Sequence, residues 1–234
     1  MKKNQSINEY LAYHLPYYGV IIFLIFNLIA MLMYPGGTYQ DVKIDRYLFT
    51  QNYFSDLGRT LTVNGTPNFL SSFIFNNTLV IMGTLISYFY FFVPNLFCQN
   101  QTSHKLSKIG SAIAISSGIA FVGIGLTPSD LYLDAHIFFV KWAFRSFLIV
   151  AIIYIIAIFK ASEWKNKYAL IYVGFAVTLF LYILIMDFGP NGKDSIEGLI
   201  IQVVSQKIIA FVFVVSVYFK SMGAKEIYNQ KSAN

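Results

Sequence analysis

Charged residues are scarce in this sequence. Aspartate, glutamate, lysine and arginine make up 12% of its 234 residues, whereas hydrophobic residues make up 56%. A soluble globular domain carries roughly 25% charged residues, so the composition indicates a membrane protein. The net charge of +6 is spread in ones and twos along the chain. Nucleic-acid binding needs a basic face, and we therefore expect no nucleic-acid partner.

Cysteine and histidine are also rare. Cys98 is the only cysteine, which excludes an intramolecular disulfide and a zinc site built from several thiolates. The three histidines are divided between the two sides of the topology derived below, so a three-histidine metal site is excluded as well. The sequence has no H-E-x-x-H motif, no nucleophile elbow and no phosphate-cradling glycine loop. We therefore expect no metal and no cofactor.

Long apolar runs, by contrast, are abundant, and each is about 20 residues long, enough to cross a bilayer of about 30 Å. They predict an all-α, polytopic membrane protein with a bundle of six transmembrane helices. The predicted helices span residues 17–34, 68–93, 106–126, 134–159, 168–186 and 195–219. The third helix is rich in glycine, alanine and serine, which let membrane helices approach closely. We expect it at the centre of the bundle.

Three polar segments accompany the predicted helices. Residues 1–16 are expected to form a cytoplasmic interfacial segment, since Ser6 and Glu9 make an S-x-x-E capping box. Residues 220–234 are expected to form a cytoplasmic tail. The loop between the first two helices has roughly thirty residues, whereas connections in compact domains usually have about 4 to 6. Because this loop is rich in tyrosine and phenylalanine, we expect it to be structured, with a short helix within residues 45–60.

Positive charges set the orientation of the six predicted helices. If both termini share one side, that side has Lys2, Lys3, Lys105, Lys108, Lys160, Lys165, Lys167, Lys220, Lys225 and Lys231. The opposite side then has only Lys43, Arg46, Arg59 and Lys193. Cytoplasmic loops are enriched in lysine and arginine. Both termini are therefore expected in the cytoplasm, with the long first loop outside.

Polar side chains occur within the predicted helices. At a rise of about 1.5 Å per residue, Asn76, Arg145 and Lys207 lie at a similar depth, roughly 12 Å below the outer ends of their helices. Lys141 shares a helix face with Arg145. The candidate ligand-binding residues are Arg59, Asn76, Lys141, Arg145, Gln202, Gln206 and Lys207.

Charges in such positions need partners, because an intramembrane charge costs about 2.5 to 3.5 kcal/mol on insertion scales. Two arrangements provide them. In the first, the basic residues pair internally with Asp56, Asp187 or Glu197 and only fasten helices together. In the second, they line a polar cavity that opens to the outer leaflet and binds an anionic group.

His136 is the candidate catalytic residue. It stands near the start of the predicted fourth helix, and histidine is the usual proton-transfer residue near neutral pH. Asp130 or Asp56 would orient its ring in a general-base role. The simpler alternative is an interfacial histidine whose hydrogen bonds are satisfied.

Two motifs resemble a known family. They are F-S-D-L-G-R-T at residues 54–60, followed by S-F-I-F-N-N, and G-I-G-L-T-P-S-D-L-Y-L-D-A-H at residues 123–136. Both resemble the prokaryotic membrane proteins called domain of unknown function 998. Similar features occur in the DRAM-like group, the damage-regulated autophagy modulators and their relatives in lipid remodelling. The resemblance implies a six-helix bundle in a prokaryotic cytoplasmic membrane, with family-typical loop residues at Asp56, Gly58, Pro128, Asp130 and His136. It implies no settled activity.

Three functions from different classes follow from these patterns. The favoured one is a non-enzymatic protein that binds a lipid or another amphiphile in the polar cavity, since arginine and lysine suit phosphate and carboxylate groups. The alternative is a membrane hydrolase or transferase that acts on a lipid head group with His136 as general base. The third option is a transporter. Membrane lipids are the expected partners. The sequence does not decide between a monomer and a homo-oligomer.

Overall fold

A computed structural model describes residues 7–233 of the chain. Its helices are α1 (Ile7–Leu32), α2 (Phe54–Leu57), α3 (Phe69–Phe92), α4 (Gln101–Leu126), α5 (Leu133–Lys160), α6 (Asn166–Phe188) and α7 (Ile196–Ala233). A 3₁₀ turn at Val93–Phe97 follows α3. Within the described range the only β-structure is an isolated bridge between Leu61 and Pro67. The predicted all-helical class is confirmed.

Six of these helices are long and apolar enough to cross a membrane, which indicates an integral membrane protein. They form a ring in chain order. α1 packs against α3, α3 against α4, α4 against α5, α5 against α6 and α6 against α7, and α7 closes the ring on α1. The apolar core lies inside this ring.

The ring arrangement differs from the expected bundle around a central helix. The glycine-rich helix, α4, is a member of the ring whose main neighbours are α3 and α5. Its small residues shorten the distance to those two neighbours. A Cβ atom at Gly118 would lie 2.7 Å from the carbonyl oxygen of Gly83 on α3, and one at Gly123 would lie 2.6 Å from the ring of Phe139 on α5.

The first helix is longer than expected. α1 runs without interruption from Ile7 to Leu32 through Pro16, so residues 7–16 belong to it and not to a separate interfacial segment. Proline in a helix interior removes a hydrogen bond, but α1 continues through Pro16, and the turn before it buries Ala12 and Tyr13. Tyr13 is fully buried and donates to the carbonyl of Phe92 at 2.9 Å. Ser6 of the predicted capping box lies outside the described residues.

The last helix also extends beyond its predicted end at residue 219, as far as Ala233. Ala224, Ile227 and Tyr228 are buried at helical spacing. The ring of Tyr228 lies 5.2 Å from that of Tyr13 on α1. The predicted tail is therefore helical, because an apolar stripe among its polar residues packs against α1.

Residues 33–68, which include α2, fold over one end of the ring, and we call them the cap. The cap bonds to four elements at that end. The N–H of Phe54 donates to Gln206 on α7, and the carbonyl of Gly58 accepts from Asn76 on α3. The N–H groups of Thr60 and Leu61 donate to Asp130, which lies between α4 and α5. Gln40 donates to the carbonyls of Gly192 and Lys193 between α6 and α7. The short helix expected within residues 45–60 is α2.

Candidate functional site

A central cavity of about 80 Å³ lies inside the ring, beneath the cap. Its wall combines α2 with every long helix except α6. The lining residues are Phe23, Phe54, Ser55, Phe75, Leu79, Met82, Phe121, Ile124, His136, Val140, Phe144, Gln206, Ala210, Phe213 and Val214. Three of them, Ser55, His136 and Gln206, carry polar side chains. The cavity is therefore apolar over most of its wall, whereas a polar cavity was expected.

α2 closes the cavity on the side of the cap. The backbone N–H of Phe54 donates to Oε1 of Gln206 at 2.8 Å. The Nδ2 group of Asn76 donates to the carbonyl of Gly58 at 3.0 Å. The two amides thus satisfy backbone groups at both ends of α2, a helix of only four residues. Asn76 is consequently a tether of the cap rather than a group facing the cavity.

Lys207 fastens the cap to α7. Its side chain is buried, and its ammonium donates to the carbonyl of Asn52, which also accepts from the Tyr47 hydroxyl at 3.0 Å. The ammonium lies 5.1 Å from the ring centre of Phe49 and 5.2 Å from that of Phe54. Cation–π contacts of this kind stabilise a cation by about 0.5 to 2 kcal/mol. Lys207 is therefore enclosed by cap residues and does not line the central cavity.

Asp56 is the buried acid of the cap. Its Oδ2 accepts from the backbone N–H of Tyr53 at 2.8 Å and from Nδ2 of Asn52 at 3.5 Å. Burial raises the pKa of Asp56 to about 6, against the opposing effects of these hydrogen bonds and of the charges on Arg59 and Lys207. Asp56 therefore binds a proton more readily than an exposed aspartate does.

Asp130 joins the cap to the connection between α4 and α5. Its carboxylate accepts from the backbone N–H and the hydroxyl of Thr60, the latter at 2.6 Å, and from the N–H of Leu61 at 2.9 Å. Partial burial acts to raise the pKa of Asp130, but these hydrogen bonds outweigh it and hold the pKa below its ordinary value. Nearby, Arg59 donates to the Tyr39 hydroxyl at 3.3 Å. Asp130 and Arg59 are thus occupied within the cap.

His136 is the polar group that α5 presents to the central cavity. It is buried, and its Nδ1 lies 2.7 Å from the carbonyl oxygen of Thr127. A carbonyl oxygen can only accept, so Nδ1 carries the proton and a neutral ring keeps Nε2 as an acceptor. Neither Asp130 nor Asp56 forms a hydrogen bond with His136. The expected histidine–carboxylate pair is therefore not formed.

Lys141 and Arg145 lie away from the cavity. Nη2 of Arg145 is 2.8 Å from Oδ2 of Asp187 at the end of α6, and Nζ of Lys141 is 3.9 Å from Oδ1. The Arg145 side chain is 51% exposed. Gln202 caps the same end of α6 by donating to the carbonyls of Ile185 and Pro190. Of the two arrangements left open by the sequence, these residues adopt the internal pairing, with Asp187 as the acid.

One protein-family profile matches residues 19–219, from α1 to α7, and this segment contains all the site residues described above. The chain belongs to this family, Protein of unknown function (DUF998). The resemblance of the chain to that family is thereby confirmed. No curated protein and no solved structure matches the chain.

In this DUF998 protein the predicted site residues divide into three groups. Gln206 and His136 line the central cavity. Asp56, Arg59, Asn76, Asp130 and Lys207 form or fasten the cap. Lys141, Arg145 and Gln202 gather at the end of α6. Among the described residues no cluster of metal-ligating side chains is found.

Two features of the DUF998 chain were not predicted. The first is the aromatic wall of the cavity, formed by residues such as Phe54 and Phe213. In the sequence these phenylalanines cannot be told apart from ordinary core residues. The second is Lys220, which was counted among the lysines of a cytoplasmic tail but is 5% exposed. Its position seven residues after Phe213 on a continuous helix was the available signal, since residues seven apart share a helix face.

Proposed function

We propose that this DUF998 protein binds the apolar end of a lipid or another amphiphile in the central cavity. The observation that supports it is the wall of twelve apolar side chains contributed by six elements around an interior space. An apolar cavity of about 150 Å³ accommodates benzene. The volume of about 80 Å³ here therefore suits the end of one acyl chain, not a whole lipid.

The polar groups of the cavity suit an uncharged or weakly polar part of that ligand. His136 offers the acceptor Nε2, and Ser55 offers a hydroxyl on the side of the cap. The basic residues expected to bind a phosphate or carboxylate are engaged elsewhere, with Asp187 or with the carbonyl of Asn52. An anionic head group is thus less well supported than the binding of an apolar chain.

The hydrolase or transferase function has weaker support. In sites of the Ser-His-Asp type a carboxylate orients the histidine base and stabilises its protonated form, whereas His136 bonds to a backbone carbonyl. Transport, the third option, would require the cap to open a path to the cavity. We therefore propose a binding protein rather than an enzyme.

We further propose that both termini lie in the cytoplasm of a prokaryotic cell and that the cap faces outward. The distribution of lysine and arginine supports this orientation. The likeness of the motifs to the DRAM-like group, with its relatives in lipid remodelling, is compatible with a lipid ligand.

The binding proposal is tested by filling the cavity with a larger side chain and measuring by mass spectrometry which ligand the protein retains. Val140→Phe enlarges a cavity-wall residue on α5, and Val177→Phe makes the same change at a position on α6 that is 55% exposed. Native mass spectrometry of the wild type should show a bound lipid or amphiphile. We expect Val140→Phe to lose it and Val177→Phe to keep it.

Equal retention by both variants would mean that the lipid binds the outer surface of the ring, which contradicts the proposal. His136→Gln tests the enzymatic alternative, because glutamine keeps a hydrogen-bond acceptor at the cavity wall but cannot act as a general base. A binding protein should still retain the same species in this variant, whereas a hydrolase should accumulate its uncleaved substrate.

A further inference from the structure

Three charged side chains meet on the outer surface of the ring, where α6 ends. Nη2 of Arg145 donates to both carboxylate oxygens of Asp187, at 3.0 and 2.8 Å, and Nζ of Lys141 lies 3.9 Å from the same carboxylate. We call these three residues the surface cluster. Two positive charges and one negative charge give it a net charge of +1. None of its members lines the central cavity.

Much of the donor capacity of the surface cluster is unused. Both hydrogen bonds of Arg145 leave from Nη2, and throughout residues 7–233 no oxygen accepts from its Nη1 or Nε. The ammonium of Lys141 is too far from Asp187 for a hydrogen bond and donates none elsewhere in this range. The side chains of Lys141 and Arg145 are 42% and 51% exposed, against 18% for Asp187. The free donors are therefore accessible from outside the ring.

The length of α6 places the surface cluster at the level of the lipid head groups. α6 has 23 residues, which is about 35 Å at 1.5 Å per residue, whereas the hydrocarbon core of a bilayer is about 30 Å thick. Both ends of α6 therefore reach the head-group zones. Asp187 is the last residue but one of α6, and its ion pair holds Arg145 at the same level. Trp142, which follows Lys141 in the chain, is half-exposed, and tryptophan is enriched at this depth.

Exposed aromatic side chains lie next to the charges. Phe188 follows Asp187 and is exposed, and on α5 the exposed ring of Phe138 stacks on that of Trp142 with the ring centres 6.2 Å apart. Such rings suit the glycerol and upper acyl chains of a lipid, whereas a soluble anion would leave them uncovered. The surface cluster thus combines a positive charge, free donors and an apolar surround at the depth where lipid phosphates lie.

We propose that the surface cluster binds the phosphate of one anionic phospholipid, in the leaflet on the side of the cap. A phosphodiester carries one negative charge, which balances the net charge of the cluster. Nη1 and Nε of Arg145 and the ammonium of Lys141 are the donors, in keeping with the preference of arginine and lysine for phosphate. The site lies outside the ring and is independent of any ligand in the central cavity.

The test measures lipid binding by native mass spectrometry, on protein stripped of co-purified lipid. Phosphatidylglycerol is the probe, and phosphatidylcholine, which has the same phosphate but adds a cation, is the comparison. We expect the wild type to bind one phosphatidylglycerol, more tightly than phosphatidylcholine. Lys141→Gln should weaken this binding about fivefold, as expected for one lysine beside an anionic lipid. Asp187→Asn raises the net charge of the cluster and should strengthen the binding by a similar factor.

Two further variants serve as controls. Lys43→Gln removes one positive charge from an exposed position of the cap, and it should bind phosphatidylglycerol like the wild type. Val140→Phe fills the central cavity and should also bind it like the wild type, so this proposal and that of cavity binding fail separately.

Three outcomes would overturn the proposal. Equal affinities of the wild type, Lys141→Gln and Asp187→Asn would place the lipid elsewhere. An equal loss in Lys43→Gln would show a general effect of charge. Displacement of the lipid by excess inorganic phosphate would show a site for soluble anions. Because Lys141→Gln and Asp187→Asn shift the affinity in opposite directions, either variant decides alone if the other does not fold.

Discussion

At the scale of single residues, Asp56 is the acid that the cap buries. The residue is 2% exposed and its carboxylate accepts from the backbone N–H of Tyr53, while the charges on Arg59 and Lys207 favour its ionised form. Burial disfavours the ionised form more than these groups favour it. The folded cap therefore binds a proton more tightly than the unfolded chain does.

This difference predicts a pH-dependent stability. Because the pKa of Asp56 is raised from 3.8 to about 6, its contribution is fully present below pH 4 and is lost as the pH rises through about 6. The shift corresponds to about 3 kcal/mol. Thermal midpoints in detergent should therefore be higher at pH 5 than at pH 7.5, and Asp56→Asn should flatten that difference. Identical pH profiles for the two proteins would rule out Asp56 as the cause.

Arg145 gives the opposite case, a charge that is well paired but exposed. Its ion pair with Asp187 at 2.8 Å lies where α6 ends, with the guanidinium half exposed. Where water surrounds such a pair, the pair contributes about 0.2 to 1 kcal/mol, whereas breaking a pair held in a low dielectric costs about 3 to 5 kcal/mol. We expect Arg145→Gln and Asp187→Asn each to lower stability by less than about 1 kcal/mol.

A double-mutant cycle of these two variants measures the pair directly. The coupling energy should be below about 1 kcal/mol as well. A loss of several kcal/mol in Arg145→Gln that Asp187→Asn restores would show that lipid, not water, surrounds the pair.

At the scale of secondary-structure elements, close contact between α3 and α4 depends on glycine. Gly83 and Gly118 face each other so closely that a Cβ atom on Gly118 would lie 2.2 Å from Oγ of Ser87 and 2.7 Å from the carbonyl oxygen of Gly83. The serine can rotate, but the backbone oxygen cannot move without shifting the helix. The contact is therefore sensitive to a single methyl group.

Gly118→Ala should consequently destabilise the protein by about 1 to 3 kcal/mol, the usual cost of overpacking. Gly174→Ala is a matched control on α6, because a Cβ atom there meets nothing within 4 Å. Thermal unfolding should show a lower midpoint for the first variant and an unchanged or slightly higher one for the second. Equal midpoints would mean that α3 and α4 separate easily.

The sequence could predict the elements better than their ends and contacts. Six helices followed from apolar length, a property of each segment alone. The extensions of α1 and α7 did not, because they depend on mutual burial of Tyr13 and Tyr228, which are distant in the chain. The pairing of Arg145 with Asp187 was one of several open combinations for the same reason. Local pattern indicates which side chains need partners, and only the fold selects them.

At the scale of the whole molecule, the ring has two unlike ends. One end has the cap, with Asp130 and the connection at residues 189–195. The other end has the turn at Val93–Phe97, followed by Cys98, and the connection between α5 and α6. Lysines are concentrated at the second end. Since positive loops are retained in the cytoplasm, this asymmetry predicts that Cys98 lies inside the cell and the cap outside.

The single exposed cysteine makes this orientation measurable with the natural chain. A membrane-impermeant maleimide should leave Cys98 unlabelled in intact cells and label it once the membrane is permeabilised. In a Cys98→Ser background, Thr50→Cys introduces a thiol at an exposed cap position, and it should be labelled in intact cells. The two thiols thus serve as controls for each other. Labelling of Cys98 but not of Thr50→Cys in intact cells would invert the orientation. It would also place the cap and the central cavity beneath it on the cytoplasmic side, next to a membrane leaflet with a different lipid composition.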